Sequence, residues 1–157
     1  MDTMSPEARS RLMSRIRGRD TKPEMLVRRY LHARGLRYIP NDKSLPGKPD
    51  LVFKSRKVAV FVHGCFWHGH EKCSNWRLPR SKIEYWAAKI NGNRQRDKRI
   101  IYRLRRLGWR VHVLWACRLD EARLGRLYLA IAEQSRPTAR RDSISTGLSS
   151  TRPRREP

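Results

Sequence analysis

Residues 57–73 read KVAVFVHGCFWHGHEKC, a run of apolar residues that changes abruptly into a segment rich in histidine, cysteine and aromatic side chains. Residues 57–62 are apolar enough to form a central strand of a sheet, and this strand would end directly at His63. The stretch therefore predicts a loop of metal-binding and stacking side chains at the end of a buried strand.

The sequence on both sides of this strand predicts helices and further strands. Thr21 and Glu24 form a capping-box pattern, and Gly35 marks a helix end. The predicted elements are helices at about 23–34, 82–107 (weakened at Gly92) and 119–134, with additional strands at 36–39, 51–53 and 109–115. This order indicates one α/β domain, a mixed β-sheet flanked by helices.

The chain of 157 residues is long enough for one domain with a hydrophobic core. Residues 1–20 are predicted to be a basic helical arm, in which Met13 and Ile16 are apolar tips among arginines. Residues 21–134 would form the folded domain. Residues 135–157 are rich in Arg, Ser and Pro, and we expect them to be disordered.

The charge of the chain is strongly positive, with 37 Lys and Arg against 14 Asp and Glu and a formal net charge of +23. Such an excess attracts polyanions, above all nucleic acids. The sequence contains no long apolar run and no signal-peptide pattern, so we expect an intracellular protein that does not enter membranes. Its three cysteines favour metal ligands or reduced thiols over a disulfide framework.

Three candidate metal ligands, Cys65, His70 and Cys73, lie close together in the loop. Cys117 follows a predicted strand that could run beside the strand ending at His63. Thiolate and imidazole sets of this kind favour Zn²⁺, and a closed set of four would be a structural site. The alternative is that Cys117 is a small buried apolar residue and that the other thiols are incidental.

Asp50 and two histidines are the candidate catalytic residues. Asp50 starts a strand after Pro49, and such a carboxylate suits Mg²⁺, although aspartate is also a common turn residue. His63 and His68 could take a proton from water at neutral pH, oriented by Asp97 or Glu24. Asp97 could equally be a helix surface charge that pairs with a neighbouring arginine.

Aromatic residues flank these histidines. Phe66 and Trp67 stand between the polar ligands, and exposed aromatics beside a basic surface can stack on bases or open a base step. Trp86, near the start of the next helix, could join them. Core packing is the alternative, and we expect it for Trp109 and Trp115 because they lie on an alternating strand.

Four stretches of the sequence are specific in combination: residues 45–50 (LPGKPD), 62–68 (VHGCFWH), 93–97 (NRQRD) and 108–117 (GWRVHVLWAC). Together they resemble the very short patch repair (Vsr) DNA mismatch endonucleases of bacteria, over roughly residues 5–134. The resemblance implies a restriction-endonuclease-like fold and a nick in one strand, 5′ to the thymine of a T:G mismatch. Such mismatches arise when 5-methylcytosine deaminates, and the nick starts very short patch repair.

The resemblance also implies a role for each matching residue. The catalytic group would be Asp50 (binding Mg²⁺), His63, His68, Asp97 as the partner of a histidine, and Glu24 near the site. The structural Zn²⁺ ligands would be Cys65, His70, Cys73 and Cys117. The residues that enter the DNA would be Phe66, Trp67 and Trp86 from one groove, with Met13 and Ile16 from the other.

The implied substrate is double-stranded DNA with a T:G mismatch. We expect a cytoplasmic, nucleoid-associated monomer of bacterial origin, with mismatch-repair proteins as further partners. The first alternative is a zinc-containing nucleic-acid-binding module without catalysis, in which Asp50 is a turn residue. A more distant one is a restriction-type enzyme that cuts both strands of matched DNA.

Overall fold

The structure is a computed structural model that describes residues 18–74, 76–79 and 82–133. Its helices and strands are α1 (Lys22–Ala33), β1 (Ile39–Pro40), β2 (Leu51–Phe53), β3 (Val58–His63), α2 (Ile83–Arg106), β4 (Arg110–Trp115) and α3 (Glu121–Ala132). This order of elements is the predicted one. Residues 1–17 of the predicted basic helical arm and the predicted tail at residues 135–157 lie outside the described residues.

The four strands form one mixed sheet in the order β1-β2-β3-β4. β2 pairs antiparallel with both β1 and β3, whereas β3 and β4 are parallel. Two parallel strands need a crossover connection, and α2 provides it. The predicted α/β domain with a mixed sheet flanked by helices is confirmed.

Helices cover both faces of the sheet, so every residue of β3 is buried. On one face α1 and α3 contribute the core residues Val27, Leu31, Leu124, Leu127 and Ile131. On the other face Leu104 of α2 packs on Ala59 and Phe61. Because β3 and β4 are parallel neighbours, the loops that follow them start from the same end of the sheet. No helix in the described part of the chain is long and apolar enough to cross a membrane.

The first predicted strand, at residues 36–39, is largely wrong, because only Ile39 and Pro40 pair with β2. Leu36 instead completes the C-terminal cap of α1. Its N–H donates to Leu31 O at 3.1 Å, and Gly35, at φ +82°, donates to His32 O at 3.0 Å. This is the glycine cap that commonly ends helices, with the following apolar residue buried against the helix.

The helix predicted at about residues 82–107 is confirmed, and Gly92, where a break was possible, does not interrupt it: α2 continues to Arg106. A glycine costs a helix only about 1 kcal/mol, and burial of Ile90 and Leu104 on either side offsets this cost. The last helix begins at Glu121, later than predicted, because Asp120 caps it by accepting a hydrogen bond from Arg123 N at 2.7 Å.

The loop before Asp50 rests on α2 at Gly47. Gly47 has φ +76°, and a Cβ atom there would lie 2.5 Å from Ile100 Cγ2. We expect Gly47→Ala to lower the free energy of unfolding by about 1–3 kcal/mol, from strain and overpacking together. Urea unfolding measures this change.

Gly92→Ala is the matched control for this prediction. Gly92 lies in α2 with nothing within 4 Å of its added Cβ, so alanine should raise the free energy of unfolding by about 0.5–1 kcal/mol. Equal changes in the two variants would contradict the proposed contact between the loop and Ile100.

Candidate active site and metal centre

Two histidines at the end of β3 stack face to face. The ring centroids of His63 and His68 lie 3.8 Å apart, with an interplanar angle of 8°. His68 Nδ1 lies 2.5 Å from Asp97 Oδ2, which α2 brings to the loop. Asp97 is therefore a partner of His68, and its other oxygen lies 3.8 Å from Arg96. The alternative of a simple helix surface charge does not describe this arrangement.

The surroundings of this group set its protonation. Burial, followed by the neighbouring His68, lowers the pKa of His63 to about 4, so this ring is neutral at pH 7. Burial by itself would raise the pKa of Asp97, but the hydrogen bond with His68 and the electrostatic effects of His68, His63 and Arg96 bring it below its usual value. Asp97 is thus a carboxylate that accepts from His68 Nδ1, which leaves Nε2 of His68 for a second partner.

The stacked rings suit proton transfer better than a shared metal ion. Donor atoms of His63, His68 and Asp97 lie within 4.8 Å of one another. Lone pairs of imidazole nitrogens lie in the ring plane, however, and two nearly parallel planes 3.8 Å apart do not meet at one ion. In this conformation the pair offers an acid-base group beside a neutral imidazole.

Asp50 lies at the start of β2, beside the end of β3. Its Oδ2 accepts a hydrogen bond of 2.7 Å from the backbone N–H of Val62. Burial raises the pKa of Asp50 to about 6, the Val62 N–H opposes this, and neighbouring Glu24 adds to it. Asp50, His63 and His68 line one cavity of about 1150 Å³. The hairpin between β2 and β3 therefore brings the carboxylate and the imidazoles to a common space.

Glu24 does not orient a histidine, as one of the sequence alternatives proposed. Thr21 Oγ1 donates to Glu24 Oε1 at 2.8 Å, and Asp20 N donates to Oε2 at 2.9 Å. Both oxygens are therefore engaged at the N-terminus of α1, where Glu24 N also donates to Thr21 Oγ1 at 3.4 Å, one half of the predicted capping box. Glu24 lines the same cavity as Asp50 and acts on it through its charge.

Arg28 is a site residue that sequence reasoning missed. Its side chain is only 7% exposed, and it pairs with Asp20 and with Glu24. Its Nη2 also donates to the backbone carbonyl of Asp50 at 3.3 Å, and its charge lowers the pKa of that residue. Arg28 lies four residues after Glu24, and this spacing was the signal in the sequence that the two side chains could pair. The same spacing is usual for exposed ion pairs on any helix, so it does not indicate a functional site.

The loop after β3 brings the predicted metal ligands together with Cys117. Donor atoms of the four side chains lie within 4.8 Å of one another: Cys65, His70, Cys73 and Cys117. Cys65 Sγ lies 3.6 Å and Cys117 Sγ lies 3.3 Å from His70 Nδ1. Cys117 reaches the cluster because β4 runs parallel to β3 and ends beside it.

This donor set fits a tetrahedral cation. Zinc with bonds of its usual length separates sulfur and nitrogen ligands by about 3.5 Å, close to the observed spacings. Burial, together with hydrogen bonds among the neighbouring thiols, raises the pKa of Cys117 to about 11. A divalent cation would reverse this effect, since it binds thiolates and disperses their charge. The cluster is thus suited to a structural metal ion.

Replacing Cys117 with Ser should remove the bound metal and destabilise the fold. The metal would cross-link two distant parts of the chain, and chain-entropy arguments value such a cross-link at about 4 kcal/mol. The measurement combines metal content by mass spectrometry with urea unfolding. His32→Ala is the control, because His32 is exposed on α1 and should change neither quantity.

The three aromatic residues predicted to contact DNA pack on one another near the N-terminus of α2. Phe66 lies 5.1 Å from Trp67 and 5.3 Å from Trp86, and the two indoles lie 6.0 Å apart, between ring centroids. All three side chains are half-buried. They form a continuous apolar surface that is partly open to solvent, which we name the aromatic cluster. Met13 and Ile16, predicted to act with it, lie outside the described residues.

Helix α2 holds this loop in place. Asn93 Nδ2 donates to Trp67 O at 2.9 Å, and Arg94 Nη1 donates to Glu71 Oε1 at 2.5 Å. Gly69, at φ +62°, lies where a Cβ would meet Ile90 Cγ2 at 2.8 Å. Close packing against α2 therefore fixes the segment between His68 and His70.

Comparison with known proteins identifies the family of the chain. A family model described as "DNA mismatch endonuclease Vsr" matches residues 1–75. The chain is 49% identical over 120 residues to the type II nicking enzyme V.XorIIP of Xanthomonas oryzae pv. oryzae, covering 76% of this chain and 88% of that protein. The chain belongs to the Vsr family.

Two other relatives extend the comparison. The chain is 42% identical over 118 residues to the DNA mismatch endonuclease Vsr of Escherichia coli (strain K12), covering 75% of each protein. It is equally similar, at 42% over 118 residues, to the type II nicking enzyme V.NmeAIP of Neisseria meningitidis, of which 84% is covered. The four sequence stretches that resemble the Vsr family include Asp50, His63, His68, Asp97, Cys65 and Cys117.

Proposed function

We propose that this protein is a Mg²⁺-dependent DNA endonuclease, a hydrolase that nicks one strand 5′ to the thymine of T:G mismatches formed by 5-methylcytosine deamination. The nick would initiate very short patch repair. The observation that carries the proposal is the His68–Asp97 pair beside Asp50 on one cavity, in a chain of the Vsr family with a net charge of +23. Double-stranded DNA is the partner that such a charge and such relatives favour.

The chemistry follows from the positions of the side chains. His68 is held by Asp97, so its Nε2 can take a proton from the attacking water. Asp50 would hold Mg²⁺, which when bound offsets charge on the scissile phosphate and acidifies water. His63 is neutral at pH 7 and would donate a hydrogen bond to the phosphate. Glu24 adds negative charge beside Asp50, which favours a cation at that carboxylate.

The cluster of Cys65, His70, Cys73 and Cys117 is proposed to bind Zn²⁺. A closed set of four thiolate and imidazole ligands has no open position, so its role would be structural. The loop between β3 and α2 carries both His68 and part of this cluster. Zinc would therefore stabilise the conformation in which His68 meets Asp97.

We also propose a domain organisation and a cellular setting for the protein. Residues 1–20 would form a DNA-gripping arm with Met13 and Ile16 at its apolar tips, residues 21–134 the endonuclease domain with a restriction-endonuclease-like fold, and residues 135–157 a disordered basic tail. We expect a monomer that works at the nucleoid in the bacterial cytoplasm together with mismatch-repair proteins.

The aromatic cluster would open the duplex at the mismatch. A T:G pair is weaker than a matched pair, so it costs less to deform, and aromatic faces can replace the lost stacking. We expect Trp67→Ala to reduce the preference for T:G over matched T:A duplexes by about 5- to 150-fold, from about 1–3 kcal/mol per stacked base. Competition binding at fixed salt measures this preference.

Tyr102→Ala is the matched control, because Tyr102 is an exposed aromatic on α2 outside the aromatic cluster. It should leave the preference unchanged. If Trp67→Ala weakens binding equally to both duplexes, the cluster provides general affinity and does not recognise the mismatch.

A strand-mapped nicking assay tests the proposed function. Duplexes that carry one T:G pair, another mismatch or a matched T:A pair are labelled on each strand in turn. The expected product is a single cut 5′ to the mismatched thymine, with the opposite strand intact. Binding without cutting on every duplex would favour the zinc-containing binding module, and cutting of both strands of matched DNA would favour a restriction-type enzyme.

A further inference from the structure

Trp115 contacts both His70 of the metal cluster and one of the two candidate catalytic histidines, His63. We expected it in the core, but its ring stacks on His70 with 4.1 Å between centroids and an interplanar angle of 7°. It also forms a T-shaped contact with His63, with 5.4 Å between centroids and an interplanar angle of 76°. The register of the sheet explains both contacts, because His63 and Trp115 are directly opposite each other in the β3–β4 pair.

We propose that Trp115 is a positioning residue that couples the metal cluster to the catalytic imidazoles. The proposal rests on the endonuclease function proposed above. One indole lies between a ligand of the structural metal, His70, and the buried ring of His63. Displacement of the cluster would therefore move His63, and through it the stacked ring of His68.

The contacts of His63 make this coupling effective. The His63 ring packs against the rings of Phe61, His68 and Trp115. Ring packing thus sets its orientation, and one of these neighbours, Trp115, also stacks on a proposed metal ligand, His70. Cys117, two residues after Trp115, is itself a proposed ligand, so the backbone next to Trp115 is also anchored at the cluster.

Groups that orient a metal ligand or a catalytic base act without touching the substrate. Loss of such an outer partner typically costs about 10- to 100-fold in activity or metal affinity. Trp115 stands in this relation to both His70 and His63. Phenylalanine at this position would keep part of the stack, whereas leucine would remove it.

Trp109 provides the comparison with ordinary packing. It is half-buried, as Trp115 is, and packs on the cluster formed by Ala59, Phe61 and Leu104. It has no ring contact with His63 or His70 among the described residues. Trp109→Leu should therefore cost stability without affecting the coupling.

The experiment compares Trp115→Leu, Trp115→Phe and Trp109→Leu with the unaltered protein, each loaded with Zn²⁺. For Trp115→Leu we expect unchanged metal content, kcat on the T:G duplex about 10- to 100-fold lower and KM within about twofold. Trp115→Phe should recover most of kcat, and Trp109→Leu should keep it. A kcat of Trp115→Leu equal to that of Trp109→Leu would overturn the proposal.

A second readout does not depend on nicking. Replacing Zn²⁺ with the larger Cd²⁺ should shift the ring-proton NMR signals of His63 in the unaltered protein and in Trp109→Leu. In Trp115→Leu the same metal exchange should leave these signals in place. If the unaltered protein nicks no duplex but shows this pattern, the proposed function fails while the coupling holds. If metal exchange shifts the His63 signals equally in Trp115→Leu and in the unaltered protein, the coupling itself is overturned.

Discussion

Replacing Asp50 with Asn should reduce nicking of a T:G duplex by at least about a thousandfold, because a cation at the phosphate is worth several kcal/mol of transition-state stabilisation. The amide keeps an oxygen that can accept from Val62 N, so the β2–β3 hairpin should remain intact. It lacks the negative charge that holds a divalent ion. Single-turnover nicking rates provide the comparison.

The same variant should bind T:G duplexes about as tightly as the unaltered protein, since the basic surface and the aromatic cluster supply affinity. Asp42→Asn is a useful control, because Asp42 is a buried carboxylate that bonds Ser44 and Lys54. Its loss should affect stability and not the chemical step. Nicking by Asp50→Asn at a rate near that of Asp42→Asn would show that Asp50 holds no catalytic cation.

Replacing Asp97 with Asn should lower the nicking rate by about 10²- to 10⁴-fold, the range for a general base that loses its orientation. The carboxylate accepts from His68 Nδ1 and so leaves Nε2 free. An amide can donate to Nδ1 instead, which favours the tautomer with a proton on Nε2. His68→Ala should lower the nicking rate by a similar factor. The double variant should be no slower than the slower of the two single variants, because the two residues act as one unit.

Glu71→Gln is the matched control for this second prediction. The Glu71–Arg94 pair also joins the loop to α2, but at an exposed position away from the stacked histidines. Its loss should change the nicking rate by less than about threefold, as expected for a surface ion pair. A fully additive double variant of His68 and Asp97, or an equal loss in Glu71→Gln, would contradict their assignment as a base and its partner.

The main features of the fold follow from local patterns in the sequence. The apolar run before His63 predicted a buried central strand, and residues 109–115 predicted its neighbour. Placing Cys117 near the loop thiols required only that these strands run side by side. The clearest error arose where tertiary packing outweighed local preference: Leu36, predicted to begin a strand, belongs to the cap of α1.

The site was less accessible from sequence because its geometry depends on contacts between distant segments. His68 meets Asp97 only when the loop folds back on α2, a pairing that the residue types allowed but did not require. In the sequence, Arg28 looks like one half of an ordinary ion pair on a helix, and Trp115 looks like an ordinary aromatic residue on a strand. Their roles emerge from a bond to a backbone carbonyl and from the register of two strands.

Single-turnover nicking of a T:G duplex, with Mg²⁺ and then with EDTA added after the protein has bound, tests the joint action of Asp50, His68 and Asp97 most directly. We predict rapid, strand-specific cutting with Mg²⁺, loss of cutting in EDTA with the complex still formed, and recovery when Mg²⁺ is restored. Cutting at the full rate in excess EDTA, or no cutting under any metal condition, would contradict a cation-assisted nicking centre built on these residues.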